Sequence, residues 1–337
     1  MTNRNNDELL KVVGLKKYFK TPMGDLHAVD DVNIAIQRRE ILGVVGESGC
    51  GKSVTMLSVL RLLSSNARSS ADLLNFEGED LLKKSKTEMR AIRGKKIGMI
   101  FQDPMTSLNP VYSIGNQIYE PLKIHMKLKG EEAKQKAIEM LKLVEISSPE
   151  SRLKQYPHEF SGGMRQRTMI AIALCCNPQL LIADEPTTAL DVTIQAQILE
   201  LMNGLKEKLH MSIILITHDL GVIANTCARI IVMYGGLIVE EAGADELFED
   251  PVHPYTQGLM SSRPQVGEGG KKEKLSSIPG GPPDLLAPPR GCPFAPRCAQ
   301  AMLICRDYMP DFSRLSDTHK VACWLRHPKA GRKTEAV

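Results

Sequence analysis

Apolar positions along the chain fall into two periods. Short β-branched runs at Leu9–Val13 and Val29–Ile36, split by the turn residues Thr21-Pro22-Met23-Gly24-Asp25, predict antiparallel strands near the N-terminus. Ile41–Val45 predicts a strand running into a helix over Ser53–Leu63. Further buried strands are predicted at Ile97–Phe101, Leu180–Ala183 and Ser212–Ile216. Helical spacing appears over Val111–Met126, Glu131–Val144, Thr168–Cys176 and Ile194–Leu209. In the last of these, Ile198, Leu201, Met202, Leu205 and Leu209 form a packing stripe. Arg229–Tyr234 and Leu237–Glu240 flank Gly235-Gly236 as a hairpin. The strand–helix alternation breaks over 104–165. The pattern therefore predicts an α/β core from 1–103 and 166–250, an inserted helical subdomain at 104–165, and a C-terminal extension at 251–337.

Composition changes this picture little. A chain of 337 residues with 42% apolar and 24% charged positions has room for one large and one smaller domain. The net charge of +4 gives no electrostatic case for a nucleic-acid partner. No run of 18 apolar residues is present, and Met1–Asp7 lacks the apolar core of a signal peptide. Eight cysteines in such a chain point to thiols or metal rather than disulfides.

The chemistry centres on Gly46-Glu47-Ser48-Gly49-Cys50-Gly51-Lys52-Ser53, between a predicted strand and a predicted helix. Glycines at these spacings turn successive backbone N–H groups inward to cradle phosphate oxygens, and the helix points its positive end at the same place. Lys52 would reach the β- and γ-phosphates, and the Ser53 hydroxyl would ligate Mg²⁺. The loop implies a nucleoside triphosphate, not its use.

Other candidates are weaker alone. Tyr18-Phe19 reads as strand-end core or as a stacking surface for adenine. Gln102 ends a strand on the side where α/β domains bind ligands. Ser161-Gly162-Gly163 before a helix reads as a capped N-terminus or an anion site. Asp184 and Glu185 end an apolar strand abruptly. Two carboxylates there suit a Mg²⁺ contact through Asp184 and a general base at Glu185 that polarises water. His218 follows the next strand and reads as structural or as a γ-phosphate contact.

Gln265–Arg290 is rich in Gly, Lys and Pro and reads as a linker or irregular loop. Beyond it stand Cys292, Cys298, Cys305 and Cys323. Four thiols in a segment too small for its own core suggest a metal staple. Zn²⁺ fits four thiolates but prefers a C-x2-C pair, which is missing. An iron–sulfur cluster tolerates wider spacing, and free thiols are the third reading. Cys175, Cys176 and Cys227 read as buried thiols.

Together these motifs resemble the ATP-binding subunit of an ABC transporter, over roughly residues 8–250. Gly46–Ser53 is similar to the Walker A loop, Leu180–Glu185 to Walker B, and Phe160–Met164 to the signature motif. Gln102 resembles the Q-loop glutamine, Ala189-Leu190-Asp191 the D-loop, His218 the switch histidine, and Phe19 the A-loop aromatic. The signature departs from Leu-Ser-Gly-Gly-Gln by having Phe160 and Met164 at its ends. The segments Tyr156–Gly163, Asp250–Thr256 and Gly291–Phe294 resemble the oligopeptide/dipeptide importer branch, D-subunit type.

The resemblance implies a P-loop NTPase fold with a RecA-like core and a small irregular metal-binding C-terminal region. It implies two ATPase subunits, usually related but different chains, closing head to tail over two ATP molecules. Ser161-Gly162-Gly163 of one would cap the γ-phosphate held by the other. Mg²⁺ would contact Ser53, Gln102 and Asp184, with Glu185 as base and His218 aligning the water. A [4Fe–4S] cluster on the four cysteines is implied, as are two transmembrane permeases and, indirectly, an extracytoplasmic binding protein. The chain would sit peripherally on the cytoplasmic face of the membrane and energise peptide uptake. Import of another small solute, such as nickel or an oligosaccharide, is the alternative. A soluble ABC ATPase outside transport is a further one.

Overall fold

The computed structural model describes residues 7–63, 67–188, 190–262 and 277–330. The first six residues of the polar N-terminus, Ala189 of the D-loop and positions 265–276 of the linker lie outside them. The strands are β1 (Glu8–Thr21), β2 (Gly24–Gln37), β3 (Ile41–Val45), β4 (Ala67–Ser70), β5 (Leu73–Phe76), β6 (Glu79–Asp80), β7 (Ile97–Ile100), β8 (Leu180–Asp184), β9 (Ser212–Thr217), β10 (Arg229–Tyr234), β11 (Leu237–Gly243), β12 (Ser313–Arg314) and β13 (Lys320–Val321). The chain packs as two units. One holds 1–10, 36–41 and 75–216, and the other 11–35, 42–74 and 217–337.

In the first unit β7, β8 and β9 run parallel in that order, with Ile100 beside Ala183 and Asp184 beside Ile216. Every residue of β8 and β9 is buried, which explains the apolar runs 180–183 and 213–216 within them. The helix Gly162–Leu174 packs against β7 and against the helices Ile114–Pro121 and Gly130–Leu143. Its apolar residues Met169, Ile170, Ala171, Ala173 and Leu174 are buried there. The single helix expected over Val111–Met126 is two pieces, Ile114–Pro121 and a wider π turn over Leu122–Met126. Pro121 has no N–H to give the preceding turn, and the helix loosens at that point.

In the second unit the order is β12-β13-β11-β10-β3. β10 runs parallel to β3, with Val232 beside Val45, and antiparallel to β11. Gly235 and Gly236 join β10 to β11 with φ of 57° and 82°. Both central positions of this tight turn need positive φ, which a side chain would disfavour. The N-terminal strands run longer than predicted, and β1 carries Tyr18 and Phe19 within it, opposite Arg68 and Ala67 of β4. β4 was not predicted, because Ala67-Arg68-Ser69-Ser70 is mostly exposed and has no apolar alternation.

The C-terminal extension was expected to be irregular, and its last part is not. β13 pairs with β11, placing Val321 beside Glu240 and Lys320 beside Glu241. Glu240 is wholly buried. Its carboxylate accepts from the N–H groups of Val252 (2.8 Å) and His253 (3.1 Å) and pairs with His319 Nε2 at 2.8 Å. A buried carboxylate is tolerated only with such partners. The extension is thus fastened to the sheet by polar contacts that hydrophobic patterning does not reveal. Among the described residues no group of three or more His, Cys, Asp or Glu side chains is gathered closely enough to hold a metal ion.

His253 caps the helix Pro254–Ser261, its Nδ1 accepting from the Tyr255 N–H at 3.1 Å. Burial pushes its pKa down from 6.5 to about 4. The unfolded chain binds this proton first, so the fold loses stability as pH falls from 6.5 to about 4 and no further below. The expected loss is about 3 kcal/mol. Denaturant titrations over this range should show that slope in the parent and a shallower one in His253→Asn. Equal slopes would remove the assignment.

Candidate functional site

The phosphate loop leaves the fully buried strand β3 and enters the helix Lys52–Val59. Gly46 has φ of 151°, and a Cβ there would lie 2.2 Å from the Met233 carbonyl oxygen. No other residue can occupy the position without moving β10. Lys52 is buried, and its Nζ donates to the carbonyls of Gly46 (2.7 Å) and Glu47 (3.0 Å). The Cys50 thiol is buried beneath the loop, 3.8 Å from Lys52 Nζ, and burial raises its pKa while Lys52 opposes this. The Gly236 N–H holds the Cys50 carbonyl at 3.1 Å, tying the loop to the β10–β11 turn. Ser48 and Gly49 are exposed, and Ser53 is half-buried at the start of the helix.

The aromatic pair divides its work. Tyr18 donates its hydroxyl to Asp30 at 2.7 Å, and its ring lies 4.0 Å from that of His27. Burial and the Asp30 carboxylate raise its pKa. Phe19, the residue singled out for adenine, is half-buried opposite Ala67.

In the first unit, the ends of β7 and β8 bring together residues 83 positions apart, as Gln102 Nε2 donates to Glu185 Oε2 at 3.0 Å. Thr188 Oγ1 donates to the same oxygen at 2.9 Å. Glu185 has φ of 46°, a left-handed conformation that costs a non-glycine residue roughly 1–3 kcal/mol. Its N–H donates to the Ile216 carbonyl at 2.9 Å, which fixes the backbone there. Asp184 is buried one residue earlier. Ser161 caps the helix Gly162–Leu174 by accepting from the Met164 N–H at 3.3 Å. Asp191 caps Val192–Leu209 by accepting from Ile194 at 2.9 Å. Both therefore have a plain capping role, and Ser161 and Gly162 also remain exposed. A Cβ on Gly163 would lie 3.1 Å from Ile194, so the two caps are neighbours. His218 is exposed in the second unit, just before the helix Leu220–Ala224 that Asp219 caps.

Cys292, Cys305 and Cys323 are buried and Cys298 is half-buried. None forms a disulfide. The Cys292 N–H donates to the Cys305 carbonyl at 2.8 Å. Burial pushes the Cys292 thiol up to about 12, helped by Cys305, Cys323 and Cys298. Cys323 rises to about 11, again chiefly by burial, with Cys298 and Cys305 adding to it. The four thiols thus lie within electrostatic reach of one another, although no three ligand groups among the described residues are gathered at metal distance.

The ABC transporter family matches residues 29–188, and the C-terminal region of oligopeptide/dipeptide transporters matches 239–305. The oligopeptide transport ATP-binding protein OppD of Bacillus subtilis is 54% identical over 324 residues, which span 96% of this chain and 90% of that protein. OppD of Escherichia coli is 48% identical, over 92% of this chain and 91% of that protein. The chain belongs to the ATP-binding subunits of oligopeptide/dipeptide ABC transporters. A solved dimeric bacterial ABC transporter cassette agrees with this family's fold, at a TM-score of 0.63 and 29% identity over 70% of this chain and 99% of that one. A dimeric post-hydrolysis cassette bound to ADP and Pi gives 0.62 and 28%, again over 70% and 99%.

Sequence reasoning on this ABC subunit missed Thr188, Tyr255 and Arg297, each of which bonds to a site residue. Thr188 had a local signal, three residues past Glu185. Tyr255 and Arg297 lie 208 and 250 positions from Glu47, the loop residue they hold, and had none. Gly46→Ala should weaken ATP binding at least about tenfold, because the Met233 carbonyl must give way. Isothermal titration measures this, and unchanged affinity would contradict the packing described.

Proposed function

We propose that this ABC subunit hydrolyses ATP at a site shared with a second ATPase subunit and so drives uptake of oligopeptides or dipeptides. The observation that carries the reading is the ordered motif set, in a chain 54% identical to an oligopeptide transport ATP-binding protein over almost its full length. The contact between Gln102 and Glu185 adds to it.

Phe19 stacks on adenine, and the N–H groups of Gly46, Glu47, Ser48, Gly49, Cys50 and Gly51, with Lys52, hold the phosphates. Ser161, Gly162 and Gly163 of the second subunit close over the γ-phosphate, with Asp191 beside them. The exposure of that helix N-terminus supports a partner's phosphate as its ligand. Ser53, Gln102 and Asp184 would each offer an oxygen to Mg²⁺, which would supply charge neutralisation for the transferring phosphoryl group. Glu185 takes the proton of the attacking water, with Gln102 and Thr188 fixing its carboxylate. His218 aligns water and phosphate. Catalysis of this kind rests on positioning and charge stabilisation.

The division into 1–103 with 166–250, 104–165, and 251–337 is then functional: nucleotide binding, signature and coupling, and a peptide-importer extension. No helix among the described residues is long and apolar enough to cross a membrane. Two permease subunits supply the path. A groove of about 870 Å³ in the first unit suits their docking, with exposed Tyr112 and Ile124 on its wall. The subunit then works peripherally at the cytoplasmic face, with a related but different ATPase chain as its pair. An extracytoplasmic binding protein delivers the solute, and no nucleic acid is involved.

The four-cysteine lobe takes a soft metal, an iron–sulfur cluster ahead of Zn²⁺. The four free thiols support this, because their neighbours help raise the pKa of Cys292 and Cys323 and a cation relieves the charge on the thiolates. A cluster there supplies a covalent staple to a lobe that has little core.

Glu185→Gln should retain ATP binding and lose turnover by about 10²–10⁴-fold. Phosphate release assays decide this, and near-normal turnover refutes the base assignment. Protein purified without oxygen should be brown and contain iron and labile sulfide, both lost in Cys292→Ser. Colourless protein carrying zinc and no iron would remove the cluster.

A further inference from the structure

The phosphate loop is held from outside by the C-terminal extension. The guanidinium of Arg297 donates from Nη1 to Glu47 Oε2 at 2.7 Å and from Nη2 to Oε1 at 3.0 Å. This is a bidentate fork, the strongest form of side-chain ion pair. The Arg297 side chain is only 6% exposed, so water screens the pair weakly. The rest of the guanidinium is committed to the extension. Nε donates to the Pro279 carbonyl at 2.8 Å and Nη2 to that of Ile278 at 3.3 Å. Nη1 also donates to the Tyr234 hydroxyl at 3.1 Å, and the group lies 5.8 Å from the Phe294 ring.

A second tie meets the same residue. The Glu47 N–H donates to the hydroxyl of buried Tyr255 at 2.8 Å. Pro282, Pro283 and Leu285 close over the loop, leaving a cavity of about 20 Å³, enough for one water. All these residues belong to one packed unit. Glu47 is therefore gripped by both backbone and side chain, and by elements that follow it by 208 to 250 positions.

A loop with glycines at 46, 49 and 51 samples many conformations unless something selects one. From the flanking helix only Lys52 reaches Glu47, at its carbonyl, and leaves the Glu47 N–H and carboxylate to other partners. Tyr255 and Arg297 take these two groups, and fixing a binding loop before its ligand arrives raises affinity by lowering the ordering cost. We propose that Arg297 is a positioning residue for the phosphate loop: by holding Glu47 it pre-organises residues 46–53 and makes ATP affinity depend on the C-terminal extension. This rests on the ATP reading of that loop. Lysine cannot substitute, because a point charge does not reproduce the fork. By reciprocity, ATP bound at the loop steadies the segment around Arg297.

The test uses the full chain and a fluorescent N-methylanthraniloyl derivative of ATP with Mg²⁺. Arg297→Gln should weaken binding about tenfold, and Arg297→Lys should recover little of it. Glu47→Gln should weaken binding as well, and the double variant should be no weaker than Arg297→Gln alone, because both remove one interaction. Melting of the nucleotide-free variants separates this from a merely structural role, which would lower the melting temperature and leave the affinity of the folded protein unchanged. Affinity within about twofold of the parent in Arg297→Gln, or losses that add in the double variant, overturns the proposal. Should Arg297→Gln fail to fold, Arg297→Lys and Glu47→Gln and their double carry the same test. A parent chain that binds no ATP, with Lys52→Ala indistinguishable from it, overturns the ATP reading itself and the clamp with it.

Discussion

The carbonyl of Met233 occupies the space a side chain at position 46 would need. The nucleotide loop depends on that single steric constraint. It forces glycine with φ of 151° at the end of β3, and so turns the chain away from the strand direction. The parallel register of β10 on β3 puts Met233 there. The turn at Gly235-Gly236 then reaches back, giving an N–H to Cys50 and accepting one from Asp30. The loop is thus shaped by its neighbours across the sheet as much as by its own glycines.

The C-terminal extension continues the same arrangement. It adds β13 to the free edge of β11, and buries Glu240 under the N–H groups of Val252 and His253. The helix that His253 caps carries Tyr255 to the backbone of Glu47. Further along, Arg297 takes the Glu47 carboxylate, one residue before Cys298. Sheet edge, helix cap, loop and cysteine lobe therefore form one continuous set of contacts within the second unit. The extension thus reaches the glycine loop directly, through Tyr255 and Arg297 on Glu47.

The residues proposed for hydrolysis draw on different physics. In the first unit, the buried parallel strands β7 and β8 deliver Gln102 and Glu185 to the same end of the sheet. The positive φ of Glu185 is strain that the bond to Ile216 and the contacts from Gln102 and Thr188 hold in place. The helix Gly162–Leu174 packs against β7 and against two helices of the inserted segment, so the signature residues at its start ride on a buried rod. Strain at Glu185 and rigidity at the start of the helix Gly162–Leu174 are both what a site built for positioning requires.

The sequence alone determined the elements whose chemistry is local. Period and composition placed β3, β8, β9 and the helix Val192–Leu209, because buried parallel strands and amphipathic helices write their environment into successive residues. Motif spacing marked Gly46–Ser53, Asp184 with Glu185, and Ser161-Gly162-Gly163, because phosphate cradles and helix caps need particular residue types at fixed offsets. Only the tertiary structure decided which side chains meet. Glu47 read as one more loop position until Arg297 and Tyr255 were found on it, and Gln102 was a strand-end candidate with no partner in view until β7 lay beside β8. β13 was invisible, since two residues carry no period, and Glu240 read only as the last residue of a hairpin strand. The physical reason is the same in each case. A hydrogen bond or ion pair between residues 79 to 250 positions apart leaves no imprint on the neighbours of either partner, so the chain records the groups but not their pairing.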